Sequence, residues 1–468
     1  MRIVSVLCCF FWLGAWSPFL AQSPLASNEI EKNYREAAAK IIGTAMVDHG
    51  DFARLEYLTD RIGNRLSGSP QLDLAIQWAV AAMQADKLDR VQAEPAKVPH
   101  WVRGNESCEL LTPKKQKLTM LGLGNSVGTP REGITAEVVA VRDFEELKAL
   151  GDAVKGKIVL YSYPMRKDLA PDNAYGDAVK YRGQGPTAAA QQGAVAVLIR
   201  SITTRSLSTA HTGSTHYAAE IPAIPAAALS PEDADMVTRL CAAGQKPTVT
   251  LMMDAHMLPE VESANVIGEI RGREKPDEVV VISGHLDSWD VGSGASDDGA
   301  GCVMAMEAAH ILKKLNLQPR RTIRVVLFTN EENGLGGARA YAAAHKAEFE
   351  KHIAAIECDS GAGRTSGFSF TGKGRSLATV EQIAVLLKSI DAQRIRHEDR
   401  TGADISVLTA AGVPSFGMDS DQTHYFDFHH THADTLDKIN PNDLAQNTAA
   451  LAVLAFILAD LPEPLARD

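Results

Sequence analysis

Val279-Val-Val-Ile-Ser-Gly-His285-Leu-Asp287 is the stretch whose reading decides the fold. Its β-branched run shows no polar alternation, the pattern of a strand buried on both faces, and it ends on a histidine and an aspartate. A glycine-rich loop, Gly292-Ser-Gly-Ala-Ser-Asp297-Asp298-Gly299-Ala-Gly301, follows and leads into an apolar pattern that predicts a helix over 301–312. The rhythm then repeats, predicting a strand over 322–329, a helix over 336–346 and a strand over 353–358. Strand–helix alternation of this kind predicts an α/β layered sheet. Open α/β sheets bind their ligands beyond the carboxyl ends of the strands, so polar residues at those ends are read for chemistry first.

Each predicted strand delivers such a residue. His285 ends the first, and Asp287 is expected to accept its second ring N–H and fix the tautomer. Asp297 and Asp298 stand in the following loop, where two carboxylates so close call for a cation; they argue against an anion cradle at the helix start. Glu331 and Glu332 end the second strand and Asp359 the third. Further on, Phe428-His429-His430-Thr431-His432 puts three of the chain's 14 histidines into four positions, far more than chance. Nitrogen and oxygen donors without cysteine suit catalytic zinc, and a carboxylate shared between ions suits a two-metal site. Adjacent acids such as Glu331 and Glu332 can divide the work, one binding metal while the other moves protons.

Outward from this core, the texture changes between 113 and 256 to short strands with Gly and Pro turns, predicted at 134–141, 157–161, 195–199 and 248–252. These mark a separate, mostly β insert. Upstream, 28–84 is helical in pattern, broken by a Gly/Ser/Pro turn at 66–70. The chain closes on a helix with Asn440 as N-cap, Pro441 in its first turn and an apolar body over 444–458. With 468 residues the chain exceeds one compact core, and two folded units are expected. The domain reading is a signal peptide over 1–21, the start of the catalytic domain over 22–112, the insert over 113–256 and the main catalytic part over 257–468. The almost uncharged run over 3–20 behind Arg2 carries the signal reading, with cleavage after Ala21 or as late as Ala26. It implies a secreted protein, extracellular or periplasmic, without a stable membrane anchor after processing.

The formal net charge of -11 and the lack of a basic run exclude a nucleic-acid binder. No His-Glu-x-x-His helix occurs. Gly124-Asn-Ser126-Val-Gly128 leads toward a strand and not into a helix, so it reads as a turn and not a nucleophile elbow. Cys302 and Cys358 fall in apolar elements and read as buried thiols. Cys108 with Cys241 is left as the one candidate disulfide.

His285-x-Asp287, Asp297-Asp298-Gly299, Glu331-Glu332, Asp359 and His430-Thr-x-x-Asp434-Thr435 follow one another in the order seen in the zinc aminopeptidase family that includes bacterial leucyl aminopeptidases and glutamate carboxypeptidases. The sequence resembles that family over nearly all of the mature chain. The resemblance implies a zinc-exopeptidase layered fold, with a mixed central β-sheet flanked by helices. The segment 188–199 resembles part of the protease-associated domain inserted in several exopeptidases. Two Zn2+ ions are implied, one on His285, Asp297 and Asp359, the other on Asp297, Glu332 and His430, with Glu331 as general base. A peptide substrate, dipeptides with free termini foremost and an aminopeptidase acting on longer peptides as the alternative, a homodimer and a propeptide over 22 to about 45 are implied as well. Many relatives carry Tyr where this chain has His429, so His429 is expected to share the oxyanion role; Tyr425 reads as too distant. His211-Thr-Gly213 resembles a segment of relatives and would serve as a lid or substrate contact if it reached over the site, although a plain loop is the simpler reading, and Asp404 is left outside the site. A non-catalytic, receptor-like binding module on the same scaffold is the rival reading, but such chains have lost ligands and this one keeps them.

Overall fold

The computed structural model describes residues 27–467, so the signal-peptide expectation lies outside the described residues. The apolar runs do become central strands. An eight-stranded mixed sheet takes the order Asp89–Val102, His256–Ile270, Arg321–Phe328, Lys275–His285, His352–Glu357, Ser415–Ser420, Thr365–Phe370, Arg394–His397. The four strands from Arg321–Phe328 to Ser415–Ser420 run parallel and form its centre. Every residue of Arg321–Phe328 and of His352–Glu357 is buried, as a strand covered on both faces requires.

Strand periodicity sorts the side chains into two cores. Val280 and Ile282 join Val325, Ile356 and the helices Ser27–Asp48, Pro70–Ala85, Ala300–Lys314 and Pro441–Asp460 on one face. Val279 and Val281 join Phe328, Ala338, Tyr341 and Leu408 on the other. The closing helix starts as expected, with Asn440 accepting from the Asn442 N–H and Pro441 in the first turn. Among the described residues it is the one helix long and apolar enough to cross a membrane, yet 89% of its most apolar window is enclosed by the fold. Its polar interruption is used: Gln446 and Asn447 hydrogen-bond the backbone of Thr365, and the Thr448 hydroxyl donates to Asp51.

The helix Ser27–Asp48 covers the expected propeptide, and it is a core element. Ile41 is fully buried, and the Tyr34 hydroxyl donates to the Asp460 carbonyl on the closing helix.

The insert departs from expectation in two ways. Its sheet begins with Glu106–Thr112, a strand earlier than the 113 boundary, because that strand pairs with Thr248–Met253 at the insert's end. Nor is it mostly β: the parallel strands Ile134–Val141, Ile158–Tyr161, Ala196–Arg200 and Ala226–Leu229 alternate with the helices Phe144–Leu150, Pro171–Gly183, Gly185–Gln191 and Pro231–Ala242. The strands were legible as apolar runs, whereas the polar helix Pro171–Gly183 lacks a clear apolar face. Cys108 and Cys241 are free thiols, which corrects the candidate disulfide. Cys108 packs among Leu110, Leu118 and Leu251, while the Cys241 thiol donates to the Val138 carbonyl. Cys302 and Cys358 are buried thiols as expected.

Candidate metal centre

The strand ends converge on Asp297. His285 closes its strand; the turn after Phe328 presents Glu331 and Glu332; Asp359 lies two residues past Glu357. His430 follows the short helix Tyr425–Phe428 with φ +60°, in the left-handed region. One oxygen of Asp297, Oδ1, lies 3.2 Å from His285 Nε2, which is itself 3.7 Å from Asp359 Oδ1. The other, Oδ2, lies 3.1 Å from His430 Nε2, which is 3.1 Å from Glu332 Oε2. A single carboxylate thus stands between two sets, each holding one imidazole and one further acid.

The donor set fits cations. Asp297 Oδ2 and Glu332 Oε1 are buried without a hydrogen-bond donor, which leaves lone pairs directed into the cluster. Burial disfavours the charged form of His285, yet Asp359 and Asp297 outweigh it and raise the imidazole well above its usual range. His430 is raised against burial in the same way by Glu332, Tyr175 and Asp297. The site demands positive charge, and dications supply it without protonating the imidazoles. The backbone already selects the required tautomer. His285 Nδ1 faces the Asp287 carbonyl at 3.0 Å and His430 Nδ1 the Thr212 carbonyl at 3.2 Å, leaving both Nε2 atoms to point inward.

Asp287 corrects the expected role. Its main-chain carbonyl, not its carboxylate, accepts from His285; the carboxylate is 3.8 Å from Nδ1. That carboxylate instead accepts the backbone N–H groups of Glu331 at 2.9 Å and Glu332 at 3.3 Å, fixing the turn that aims both acids. Asp298, joined to Asp297 by a cis peptide bond, accepts from the backbone of His285 and Gly301. A Cβ on Gly301 would lie 1.9 Å from the Cys358 carbonyl, so only glycine lets the helix start this close to the Asp359 strand.

Three groups were missed or underused by sequence reasoning. Arg65 is fully buried and donates to the carbonyls of Gly63, Leu286, Ser293 and Gly294, tying the His285 and Asp297 loops together. A lone arginine in a turn carries no signal for that. Asp434, quoted only as part of a motif, accepts from Ser296 N and Asp297 N; burial and Asp297 push it up to about 7. Asp404, left outside, is buried with neither carboxyl oxygen bonded, and burial, Glu357 and Glu331 raise it well above the carboxylate range.

The three clustered histidines separate. His430 joins the ligands, His432 is exposed, and His429 stacks on His430 with ring centroids 3.6 Å apart, its Nε2 3.3 Å from Asp297 Oδ2. Burial and the neighbouring His430 hold His429 well below its usual range, so its ring is neutral. Glu331, which makes no side-chain hydrogen bond among the described residues, lines a cavity of about 460 Å³ together with Asp359, Tyr425 and His429. Tyr425, read as too distant, therefore does reach the pocket. The insert supplies the facing wall through Asp172, Tyr175 and Arg182. The 211–213 segment also reaches the centre: the Thr212 N–H donates to the His430 carbonyl, and the Thr212 carbonyl receives His430 Nδ1.

Strand-end histidine and acids around a shared carboxylate, in a parallel-centred sheet with an inserted wall, define a metallo-exopeptidase. Residues 265–455 match the model of "Peptidase family M28". The chain is 42% identical over 440 residues to "Carboxypeptidase Q" of Xenopus laevis, covering 93% of this chain and 92% of that one. A crystal structure of a "Peptidase M28 precursor" from Shewanella amazonensis SB2B superposes with a TM-score of 0.90 at 37% identity, covering 93% of this chain and 99% of that one. BSAP, a zinc aminopeptidase from Bacillus subtilis, shares the fold with a TM-score of 0.65 at 19% identity, over 89% and 96% of the two chains. The chain belongs to peptidase family M28, with carboxypeptidase Q among its relatives.

Proposed function

We propose that the chain is a two-zinc exopeptidase that hydrolyses the peptide bond of dipeptides or short peptides with free termini. One observation carries the two-ion reading: the two oxygens of Asp297 face two separate imidazole–acid sets, His285 with Asp359 and His430 with Glu332. His285, Asp297 and Asp359 would hold one ion, and Asp297, Glu332 and His430 the other. Bound zinc supplies an acidified water and polarises the scissile carbonyl.

The protein's own groups do the rest. Glu331 takes the proton of the attacking water and returns it to the leaving amine. Burial, with the charges of Asp359, Glu332 and Asp287, pushes Glu331 well above the usual carboxyl range, the direction a proton carrier near neutrality needs. Asp287 keeps Glu331 aimed through its backbone N–H. The neutral His429 has one N–H to offer the developing oxyanion, the role of the tyrosine found there in relatives. An uncharged donor beside the site suits this task. We read 1–21 as a secretion signal, the insert as protease-associated and the assembly as a homodimer; light scattering checks the last.

The test is zinc content combined with dipeptide hydrolysis for the wild type and Glu331→Gln. Two zinc per chain in both, with activity lost only in the variant, is the expected result. One zinc per chain, or an active variant, would overturn the proposal.

A further inference from the structure

The Gly124-Asn-Ser126-Val-Gly128 turn is no nucleophile elbow, and the structure gives it another use. Its serine is buried: the hydroxyl donates to the Val127 carbonyl and accepts the Ala226 N–H, while the Ser126 carbonyl takes the Trp101 indole N–H at 2.9 Å. The residue that meets the metal-bearing part of the chain is Gly124. A Cβ there would lie 1.9 Å from the ring of Trp289, so the indole rests on bare backbone that any side chain would close. Trp289 is 2% exposed and belongs to the loop between His285 and Asp297. Its ring meets the His430 imidazole at 62°, with centroids 5.7 Å apart. Among the described residues its N–H finds no hydrogen-bond partner, so packing alone holds the ring.

The same turn fixes the segment that holds His430. The Gly124 N–H donates to the Gly213 carbonyl, and the Thr212 hydroxyl donates to the Gly122 carbonyl at 2.7 Å. Thr212, so anchored, accepts from His430 Nδ1 on its own carbonyl. Arg103 closes the joint: it pairs with Asp290, the neighbour of Trp289, at 2.6 Å and donates to the Gly122 carbonyl at 2.6 Å. His285 is held differently, because its ring nitrogens face the Asp287 carbonyl and Asp297, both within its own loop. Resting on the two-zinc reading, we propose that Trp289, seated on Gly124, is a positioning residue for His430. The ion on Asp297, Glu332 and His430 then depends on the docking of the insert, whereas the ion on His285, Asp297 and Asp359 is held by the sheet loops alone. A small displacement suffices, since a zinc ligand keeps its distance to within about 0.2 Å.

The experiment equilibrates the zinc-loaded full chain against a graded series of a zinc chelator and measures zinc per chain, with circular dichroism to confirm that the chain stays folded. The wild type gives up two ions. In Trp289→Leu and in Gly124→Ala, neither of which alters a ligand, one ion is held as in the wild type. The other is held about 10- to 100-fold more weakly, the effect of losing an outer partner of a ligating imidazole. Trp289→Phe, which keeps a ring in the seat, recovers part of that loss and takes the place of Trp289→Leu where the latter does not fold. A merely structural role would weaken both ions together. Equal weakening of the two, or two ions held at wild-type affinity in the variants, overturns the proposal and leaves the two-zinc reading standing. A wild type that carries one ion refutes that reading, and the proposal with it.

Discussion

The loops at the strand ends and the insert helix Pro171–Gly183 face one cavity but are held in opposite ways. Each loop on the sheet side is tied by a buried group with a satisfied network: Arg65 on four carbonyls, Asp287 on Glu331 and Glu332, Asp298 on His285, Asp434 on Asp297. On the insert side, Asp172 is exposed, Tyr175 is half-buried and Arg182 keeps donors free. The backbone pair between Thr212 and His430 joins the two sides. Groups that make and break bonds must be fixed to a fraction of an ångström, a requirement that a facing wall of the cavity does not share.

Asp297→Ala tests the sheet side most severely. It deletes the carboxylate both donor sets share, so zinc should fall from two per chain to near none. Hydrolysis should drop by more than the about 10²- to 10⁴-fold expected for Glu331→Gln. Retention of one ion would show that Asp297 serves a single set. Arg65→Met follows in size. Four carbonyls lose their donor, and denaturant titration should report a loss of about 3 kcal/mol or more, with zinc affinity weakened about 10- to 100-fold. Tyr175→Phe on the insert side should cost less than about 1 kcal/mol. Comparable losses from the two changes would erase the contrast.

A smaller change sharpens the insert side alone. A Cβ on Gly213, whose φ is +132°, would lie 2.2 Å from Arg182 Nη1. In Gly213→Ala denaturant titration should report a loss of about 1 to 3 kcal/mol from displacing the Arg182 side chain, while the zinc content stays that of the wild type. Zinc loss there would mean that the loop braces His430 more than Arg182.

The smallest effect on the site itself comes from a group that belongs to neither wall and acts on pH dependence. His352, at the far end of its strand from Asp359, is pushed down to about 4 by burial. A depressed histidine contributes stability that is present above its unfolded value of 6.5 and is lost as pH falls through 4, because the unfolded chain takes up the proton first. Urea titrations between pH 7 and 4 should show His352→Gln losing a slope of up to about 1.4 kcal/mol per pH unit. Zinc content at pH 7 should not change. An unchanged slope would mean that His352 does not control this window.

Much of the fold was legible because the central strands are uninterrupted apolar runs, 279–282 and 322–329 among them, whose only stable place is a sheet covered on both faces. Of the candidate ligands, His285, Glu331, Glu332 and Asp359 were legible because each stands at or just past the end of such a run, while Asp297 and His430 lie on loops and were legible through the motifs of the resemblance. The insert was misjudged at its start, since Glu106–Thr112 declares itself only by pairing with Thr248–Met253. Its helix Pro171–Gly183 was missed because it buries few apolar residues. Arg65 and Thr212 were invisible for a different reason: each acts through backbone carbonyls, which every residue type possesses.

By itself the sequence determined the order of the central elements and the identity of His285, Asp297, Glu331, Glu332, Asp359 and His430 as candidates, because acids and an imidazole at strand ends are a local pattern and Asp297 and His430 sit in short motifs of the resemblance. The tertiary structure decided the rest: that Asp297 stands between two sets, that His430 turns inward while His432 is exposed, that the Asp287 carbonyl orients His285 while its carboxylate holds Glu331 and Glu332, and that Arg182 of the insert lines the pocket. Those facts depend on distances between segments far apart in the chain, set by sheet order and loop packing and by no local spacing.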